Sequence, residues 1–342
     1  MTSNLVSLLA LNEHAAEPRA PGGPDPESGA DRVSLYVPRI LQHRLITDAA
    51  GQWWTAEGTA AFVDISGFTR LSERLARKGR EGSEQITEAI GSSFESILLV
   101  AYESGAGLLK FGGDSLLLWF QDTGHAARAC RAAVLMRRVL REVGRIDVPG
   151  AKVTLRMSQG VHSGQFHFFA VGTSHLELLP VGPAWSRVVT MEHEASAGEI
   201  LISPETAQWL PTRWLGERKG PGHLLLPEPL SNAEKIPLRA RPDVPEEILA
   251  RCLSPAIRAH VQRGGGTSEH RPVTIAFIHF DGTDGIIELD GPEATAEALH
   301  RLVSVVEAAT EEQDVSFLGS DVDFDGGKLI LTAGAPKITG DD

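Results

Sequence analysis

The sequence has little cysteine, no long apolar run and fewer basic than acidic residues. Its two cysteines, Cys130 and Cys252, stand far apart and have no partner at the spacing of a metal site. We therefore expect reduced thiols in a cytoplasmic protein rather than a disulfide framework. No apolar stretch approaches the roughly 20 residues of a membrane-spanning helix. The first residues also lack the basic start of a signal peptide.

The charge balance limits the classes of partner. The 342 residues include 32 Lys and Arg against 45 Asp and Glu, which gives a net charge of −13. Nucleic acid and anionic membranes require basic surfaces, so we expect neither as a general partner. A nucleoside triphosphate is also anionic, and its site would need metal ions and a few placed cations. Four histidines lack the spacing of metal ligands, and we expect core or surface positions for His162, His167, His175 and His193.

Two stretches of the sequence place a carboxylate beside glycine, next to the pattern of a buried strand. They are residues 59–69, with Asp64, and residues 109–120, with Asp114. Two such strands side by side would bring both carboxylates to one sheet edge. Divalent cations prefer oxygen ligands, and a metal pair that binds phosphate needs carboxylates on rigid strands. Backbone N–H groups of residues 65–69, at the start of a predicted helix, could hold a polyphosphate, so the sequence predicts metal-assisted nucleotide chemistry.

The two stretches together resemble the class III adenylate/guanylate cyclase catalytic domain. That family carries a Phe-x-Asp-Ile-x-Gly-Phe-Thr segment, which matches residues 62–69, and a Lys-x-x-Gly-Asp segment, which matches residues 110–114. A lone Gly-Gly-Asp would be a weak signal, but both motifs occur here in the family order. The resemblance covers roughly residues 58–210 and, more faintly, residues 271–342.

The resemblance implies a set of site residues. In the family two aspartates bind two Mg²⁺ or Mn²⁺ ions, and the backbone that follows holds the phosphates of ATP or GTP. A lysine before the second aspartate contacts the purine or, in two-copy cyclases, faces a second pocket that binds an activator. Carried over, the catalytic residues are Asp64 and Asp114; the metal-binding residues are Asp64, Ile65 and Asp114; the phosphate-binding residues are Ser66, Gly67, Phe68, Thr69 and Gly113; and the purine- or activator-binding residue is Lys110.

The chain departs from the family at positions that a partner subunit supplies. Class III cyclases use an Asn and an Arg four and eight positions after a glycine, but after Gly182 those places hold Ser186 and Thr190. Arg187 is out of register, and Gln165 stands where a phosphate-binding arginine often occurs. Such a cation can change the rate by several powers of ten. We therefore do not expect an efficient symmetric homodimer from this part of the chain.

The sequence repeats itself in its second half. Residues 61–67 are echoed by residues 276–282, and residues 112–118 by residues 326–332, at nearly the same offset. Two independent matches at one offset indicate an internal repeat. The second copy stops before the later strands, so we expect the opening half of a degenerate domain.

The repeat places different residues at the metal positions of the second copy. By the offset, His279 and Lys328 stand there, and neither can replace a carboxylate around Mg²⁺. The second copy therefore resembles the half of a heterodimeric cyclase that binds no metal. Its counterpart of Lys110 is Phe324 by the simple offset, or Ser320 if the hairpin carries an insertion.

The order of strand and helix patterns predicts an α+β fold. It matches a ferredoxin-like nucleotidyl cyclase domain, with helices on one face of an antiparallel sheet and the other face free for a partner. The predicted domains are a flexible leader over residues 1–32, a cyclase homology domain with a lead-in helix over 33–210, a linker with a helix over 211–270, and the N-terminal half of a second domain over 271–342.

The resemblance implies conversion of ATP to 3′,5′-cyclic AMP and pyrophosphate by two-metal catalysis at a domain or dimer interface. The tandem arrangement resembles the soluble, bicarbonate-responsive adenylyl cyclases, so the partner is a complete second domain or a homodimer mate. The alternative is a pseudo-cyclase that senses a nucleotide or bicarbonate and regulates through dimerisation, which the missing Asn and Arg favour. A guanylate cyclase stays open. A diguanylate cyclase is disfavoured because Ser115 and Leu116 replace the Glu-Phe of that family.

Overall fold

The computed structural model of the protein describes residues 29–48, 50–67, 80–148, 151–227, 242–263 and 273–337. The helices are α1 (Gly29–Ser34), α2 (Arg39–Thr47), α3 (Arg80–Glu103), α4 (His125–Val143), α5 (Pro183–Glu194), α6 (Pro204–Ala207), α7 (Glu246–Ala250), α8 (Pro255–Gln262), α9 (Thr283–Leu289) and α10 (Gly291–Glu312). The strands are β1 (Trp53–Ser66), β2 (Gly107–Phe111), β3 (Ser115–Phe120), β4 (Arg145–Val148), β5 (Ala151–Thr154), β6 (Arg156–Val171), β7 (Glu177–Leu179), β8 (Ile200–Ile202), β9 (Leu215–Lys219), β10 (Gly222–Leu225), β11 (Thr274–Phe280), β12 (Ser316–Asp323) and β13 (Gly326–Ala333). Within the described ranges, no helix has the length and apolar character needed to cross a bilayer.

The first copy is built on one sheet with the strand order β2-β3-β1-β6-β8-β10-β9, to which β7 adds by pairing with β6. β1 pairs antiparallel with β3 and β6, whereas β8 runs parallel to β6. β1 lies inside the sheet because small and β-branched residues fill both of its faces, and Ala60, Ala61 and Val63 are fully buried. The predicted α+β, ferredoxin-like class is confirmed.

Helices cover both faces of this sheet. On one face, α3 and α4 contribute Phe94 and Met136 to the core. On the other face, α2, α5, α7 and α8 surround an aromatic cluster that contains Trp119, Phe166 and Trp185. The sequence predicted helices for one face alone. The second face is covered as well because these large aromatic side chains gain stability only when water is excluded from them.

The second copy is a three-stranded antiparallel sheet of order β11-β13-β12, with α10 packed against it. It shares a hydrophobic core with the first copy, in which Phe169 and Val181 meet Val303 and Leu331. β12 also reaches the aromatic face of the first sheet, where Val322 is buried. The face that the sequence predicted to be free for a partner therefore contacts the second copy.

Three elements differ in extent from the sequence prediction. The lead-in helix is divided into α1 and α2, because Pro38 cannot continue a helix. The linker helix is divided into α7 and α8, and the second piece begins at Pro255. The first sheet continues through β9 and β10 to Leu225, beyond the predicted domain boundary at residue 210.

The sheet registers correct the predicted equivalence of the two copies. Asp64 lies opposite Ser115 in the first copy, and its counterpart His279 lies opposite Lys328 in the second. Lys328 is therefore the counterpart of Ser115, and the prediction that it takes the second metal position is wrong by one residue. Gly327 stands at that position. The conclusion that the second copy lacks a carboxylate there is unchanged.

The register also identifies the counterpart of Lys110. Lys110 lies opposite Leu117 beside a bulge, and the counterpart of Leu117, which is Ile330, lies opposite Gly319 beside a matching bulge. The lysine is therefore replaced by Gly319 in the second copy, because the hairpin there is longer. Both predicted counterparts are therefore wrong, namely Phe324, which the simple offset gave, and Ser320, which a short hairpin insertion would give.

Candidate active site

Asp64 and Asp114 lie at the same end of neighbouring strands. Asp64 is near the end of β1, and Asp114 lies in the turn between β2 and β3, directly before the residue that faces Asp64 across the sheet. The N–H group of Ile65 donates a 2.9 Å hydrogen bond to the carbonyl oxygen of Asp114. This hydrogen bond joins the turn between β2 and β3 to β1, so both carboxylates lie at the same end of these strands.

Two glycines let the chain turn beside these carboxylates. Gly67 has a φ of 108° and Gly113 a φ of 90°, both in the left-handed region that favours glycine. A Cβ on Gly67 would also lie 3.3 Å from the carbonyl oxygen of Thr154. Of the predicted phosphate-binding residues, Ser66, Gly67 and Gly113 therefore lie beside the aspartates. Phe68 and Thr69 lie outside the described residues.

Acidic groups surround Asp64. Burial raises the pKa of Asp64 to about 6, and the charges of Asp114 and Glu192 add to the effect. Glu192 is on α5, where its Oε1 accepts a 2.7 Å hydrogen bond from Ser158, the residue opposite Asp64 on β6. Burial also raises the pKa of Asp114. Carboxylates that repel one another in this way are stabilised by a bound cation.

The oxygen ligands near Asp64 and Asp114 fit a divalent cation that takes most of its other ligands from water and from the substrate. In the part of the chain that the structure describes, no three His, Cys, Asp or Glu side chains are grouped as a metal site. The protein would thus supply the carboxylates of Asp64 and Asp114 and the backbone oxygen of Ile65. Mg²⁺ is commonly held by one or two carboxylates together with water and substrate phosphates, so the pair fits that mode.

Lys110 is engaged away from the aspartates, at the contact between the two copies. Its Nζ donates hydrogen bonds of 2.7 Å to Glu177 Oε1 and 2.8 Å to Ser320 Oγ. Ser320 in turn donates a 2.5 Å hydrogen bond to Glu177 Oε1. Burial alone would raise the pKa of Glu177, but Lys110 and His175 hold it well below its usual range. The lysine that the family uses for a purine or an activator is therefore paired internally.

His175 extends this group of charges into the second copy. It is 1% exposed, and its Nε2 lies 3.3 Å from Glu177 Oε2 and its Nδ1 2.8 Å from Glu307 Oε1. The second contact is an ion pair without the alignment of a good hydrogen bond. Burial alone would lower the pKa of His175, but the two carboxylates raise it to about 9. We call Lys110, His175, Glu177, Glu307 and Ser320 the interface cluster.

Glu307 ties the interface cluster to the loop between β6 and β7. Its oxygens accept hydrogen bonds from the backbone N–H groups of Thr173 (2.7 Å), Ser174 (3.1 Å) and His175 (3.2 Å). Burial alone would raise the pKa of Glu307, but His175 and these N–H groups lower it to about 2. Each charge in the cluster is matched, so the cluster joins the two copies.

A cavity of about 170 Å³ lies beside the interface cluster, between the lead-in helices, β2 and β12. Lys110, His175 and Glu177 line one side, and most of the other lining residues are apolar. Within the described residues, the lining includes neither Asp64 nor Asp114. The cavity and the aspartate pair are therefore separate features.

The positions of the family's Asn and Arg lie on α5. Ser186 Oγ accepts a 2.9 Å hydrogen bond from the N–H group of Asp325, in the turn between β12 and β13. Thr190 Oγ1 donates a 2.7 Å hydrogen bond to the carbonyl oxygen of Ser186, while Arg187 and Gln165 are exposed. Ser186 therefore holds the second copy instead of supplying the amide of an asparagine.

Several charged residues of this region have no sequence motif. Asp321 of the second copy lies beside the turn that carries Asp114, and its Oδ2 is 3.2 Å from Lys328 Nζ. The fold brings four acidic residues to the two regions that stand in no sequence motif, namely Glu177, Glu192, Glu307 and Asp321. They lie on different elements far apart in sequence, so no local pattern could identify them.

Comparison with known proteins supports the motif-based resemblance. No family model matches the chain. It is 24% identical over 181 residues to adenylate cyclase type 10 of Homo sapiens, which covers 52% of this chain and 11% of that protein. It is 29% identical over 146 residues to adenylate cyclase 1 of Rhizobium meliloti (strain 1021), which covers 41% of this chain and 21% of that protein. The predicted resemblance to class III cyclase domains is confirmed, and the chain spans about a tenth to a fifth of these relatives.

Solved structures of cyclases align with about half of the chain. The guanylyl cyclase Cya2 aligns with a TM-score of 0.43 at 22% identity, over 54% of this chain and 98% of that chain. The adenylyl cyclase CyaB from P. aeruginosa aligns with a TM-score of 0.43 at 20% identity, over 54% of this chain and 100% of that chain.

Proposed function

We propose that the first copy is a class III nucleotidyl cyclase domain that binds a nucleoside triphosphate with divalent cations at Asp64 and Asp114. The proposed reaction converts ATP to 3′,5′-cyclic AMP and pyrophosphate. The observation that carries this proposal is the pair of adjacent carboxylates, held at one sheet edge by the hydrogen bond between Ile65 and Asp114. The adenylate cyclase names of the curated relatives support ATP as the substrate.

In this proposal the residues of the chain bind and orient the substrate. Bound Mg²⁺ or Mn²⁺ would polarise the ribose 3′-hydroxyl and neutralise the triphosphate. Asp64, Asp114 and the carbonyl group of Ile65 would hold these ions, which requires ionised carboxylates. Because the pKa of Asp64 is raised to about 6, metal affinity should fall below that pH. The backbone at Gly67 and Gly113 would orient the phosphates for in-line attack.

The proposed site lies where the two copies meet, with Asp321 of the second copy beside the turn that carries Asp114. Gly319 stands at the place of the family's purine lysine, so the second copy offers no side chain there. A complete second domain or a homodimer partner would supply the missing contacts.

A regulatory pseudo-cyclase is the second candidate. It is favoured by two specific observations. The hydroxyl of Ser186 is bonded to the backbone of Asp325, and a glycine replaces the purine lysine in the second copy. Both features remove contacts that a cyclase makes to its substrate. In this alternative the domain binds a nucleotide without turnover and acts through the docking of the two copies.

The test is Mn²⁺-dependent formation of cyclic nucleotide from ATP and from GTP. It would compare this chain, a form extended through a whole second domain, and the Asp64→Ala variant of each. Cyclic AMP from the extended form, lost in the Asp64→Ala variant, would support the cyclase. Binding without turnover in both forms would favour the pseudo-cyclase.

A matched control separates site chemistry from a general loss of charge. Asp290, before α10, is exposed and lies outside the candidate site. The Asp290→Ala variant should keep wild-type turnover and nucleotide binding. If it lost activity as Asp64→Ala does, the assignment of Asp64 to the site would be contradicted.

A further inference from the structure

We propose that Lys328, on β13 of the second copy, binds the phosphates of the nucleotide held at Asp64 and Asp114 of the first copy. This inference rests on the proposed function and deepens it. It gives the degenerate copy a direct part in the site. Its ligand is the triphosphate group of a nucleoside triphosphate.

Lys328 stands between two ionisable residues of its own sheet. β13 is the central strand, and Lys328 lies opposite His279 on β11 and Asp321 on β12. Residues directly opposite one another in an antiparallel pair lie on the same face. The Nζ of Lys328 is 3.2 Å from Asp321 Oδ2, so the ammonium is held over β12, the strand nearer to the first copy.

Asp321 lies close to the first copy, beside the turn that carries Asp114. A Cβ added to Gly112, in the turn before Asp114, would lie 3.2 Å from Asp321 Oδ2. Glycine at this position therefore lets the carboxylate approach the turn closely. The ammonium of Lys328 is thus separated from the metal-binding turn by one carboxylate that it already contacts.

Charged groups of the second copy lie near Asp114 of the first copy. Lys328 and Asp321 are both close enough to Asp114 for their charges to act on it. Lys328 therefore acts on Asp114 from the other copy. Among the described groups whose charges act on the aspartate pair from outside it, Glu192 and Asp321 are acidic and Lys328 is the cation. A triphosphate entering this region needs a cation besides the metal.

The ammonium group of Lys328 is partly exposed and can reach a ligand. The side chain of Lys328 is 33% exposed, whereas Asp321 is 7% exposed and its Oδ1 accepts a 3.0 Å hydrogen bond from the N–H group of Val322. Asp321 is therefore fixed, and it holds one side of the lysine head. A lysine ammonium has three N–H donors, so the ion pair leaves it able to donate to a phosphate oxygen.

The inference also assigns a role to a departure from the family. The first copy lacks the Asn and Arg of α5, where Ser186 and Thr190 stand. By the sequence offset alone, Lys328 stands at a metal-binding position and shows only that the second copy has lost a carboxylate. The sheet register moves Lys328 one residue past that position and beside the site of the first copy, where its charge can bind a phosphate group.

The experiment is equilibrium binding of 3′-deoxy-ATP with Mn²⁺, because this nucleotide has no 3′-hydroxyl and cannot cyclise. The full chain would be compared with its Lys328→Ala, Lys328→Arg and Lys337→Ala variants, and adenosine and Mn²⁺ would be titrated separately. Lys337 is an exposed lysine of the second copy that pairs with Asp314, which makes it a matched control.

We expect Lys328→Ala to raise the Kd of the triphosphate about tenfold, the size of one charge-assisted hydrogen bond. Lys328→Arg should restore most of the affinity, and Lys337→Ala should bind as the wild type does. Adenosine should bind the Lys328→Ala variant and the wild type alike, because it has no phosphate. This pattern would support a phosphate-binding lysine.

The contrary outcomes are distinct from one another. Wild-type affinity in Lys328→Ala, together with lost binding in Asp64→Ala, would overturn the inference and leave the proposed function standing. Tighter Mn²⁺ binding by Lys328→Ala, with no loss of triphosphate affinity, would show that Lys328 only neutralises Asp114 and would also overturn it. No binding of 3′-deoxy-ATP by the wild type, either as this chain or in the form extended through a whole second domain, would overturn both proposals.

Discussion

Two groups of charged side chains in this protein are built in opposite ways. In the aspartate pair the neighbouring charges are mostly acidic, and the pKa of Asp64 is raised to about 6. In the interface cluster each charge faces an opposite one. There the pKa of His175 is raised to about 9, and that of Glu177 is held well below its usual range. The fold therefore opposes the charged form at one place and stabilises it at the other.

The difference separates a ligand site from a structural contact. A group whose charge is already matched gains nothing from a ligand and loses stability when its partner is removed. A group whose charge is unmatched costs stability until a ligand of opposite charge binds. We therefore expect substitutions in the aspartate pair to change activity, and substitutions in the interface cluster to change stability.

The largest expected effect is on activity. The Asp114→Asn variant removes one metal-binding charge without changing the size of the side chain. We expect kcat/KM to fall about a thousandfold, which corresponds to roughly 4 kcal/mol of transition-state stabilisation. Steady-state kinetics with Mn²⁺ and ATP measures this, with Asp290→Asn as the matched control. A loss below tenfold would mean that Asp114 is not a metal ligand.

The next effect is on stability. The Glu177→Gln variant leaves the charges of Lys110 and His175 buried without their common partner. Removing one member of a buried ion pair costs about 3 kcal/mol or more, so the free energy of unfolding should fall by about that amount. Urea denaturation followed by tryptophan fluorescence measures it. The exposed Glu297→Gln variant on α10 should change the unfolding free energy by less than about 0.5 kcal/mol.

These two predictions depend on different parts of the molecule, and the sequence anticipated only one of them. Asp64 and Asp114 can be predicted because each stands in a short motif. The pairing that brings them together involves only the neighbouring strands β1, β2 and β3. Glu177 and Glu307 are single acidic residues, 130 positions apart in chain order, whose meeting depends on how the second copy docks.

The residue-by-residue correspondence between the two copies also could not be predicted from the sequence. The offset gave Lys328 as the counterpart of Asp114, because Gly-Gly precedes both residues. The pairing of β11 with β13 makes Gly327 the counterpart of Asp114, and the longer hairpin between β12 and β13 makes Gly319 the counterpart of Lys110. Sequence similarity aligned the glycines, whereas hydrogen bonding between strands decides the register.

A pH titration sharpens the comparison further. The pKa of His175 is about 9 in the folded state, above its ordinary value of 6.5, so its contribution to stability is complete below about pH 6.5 and is lost as the pH rises through 9. Glu177 and Glu307 have lowered pKa values, so their contributions are lost only as the pH falls below about 4.5. We expect the unfolding free energy to decrease by about 2 kcal/mol between pH 6.5 and 9.

The variant His175→Gln isolates this contribution. Because it removes the titrating group, its unfolding free energy should change less with pH than that of the wild type over the same interval. Ionisation of Cys130 and Cys252 in the unfolded state affects both proteins equally, so the difference between them reports on the histidine. Parallel pH profiles for the two proteins would contradict a charged His175 in the interface cluster.

The smallest expected effect has the opposite sign to that of Glu177→Gln. Because the folded state raises the pKa of Asp64 from 3.8 to about 6, ionised Asp64 destabilises the protein above pH 6. Asp64→Asn should therefore raise the unfolding free energy of the metal-free protein by about 1 kcal/mol at pH 7, after allowance for solvent screening of a half-buried group. The gain should vanish below about pH 4, where the wild-type carboxyl is protonated in both states, and it should reverse when Mn²⁺ is added. A destabilised Asp64→Asn variant at pH 7 without metal would place Asp64 among the structural charges.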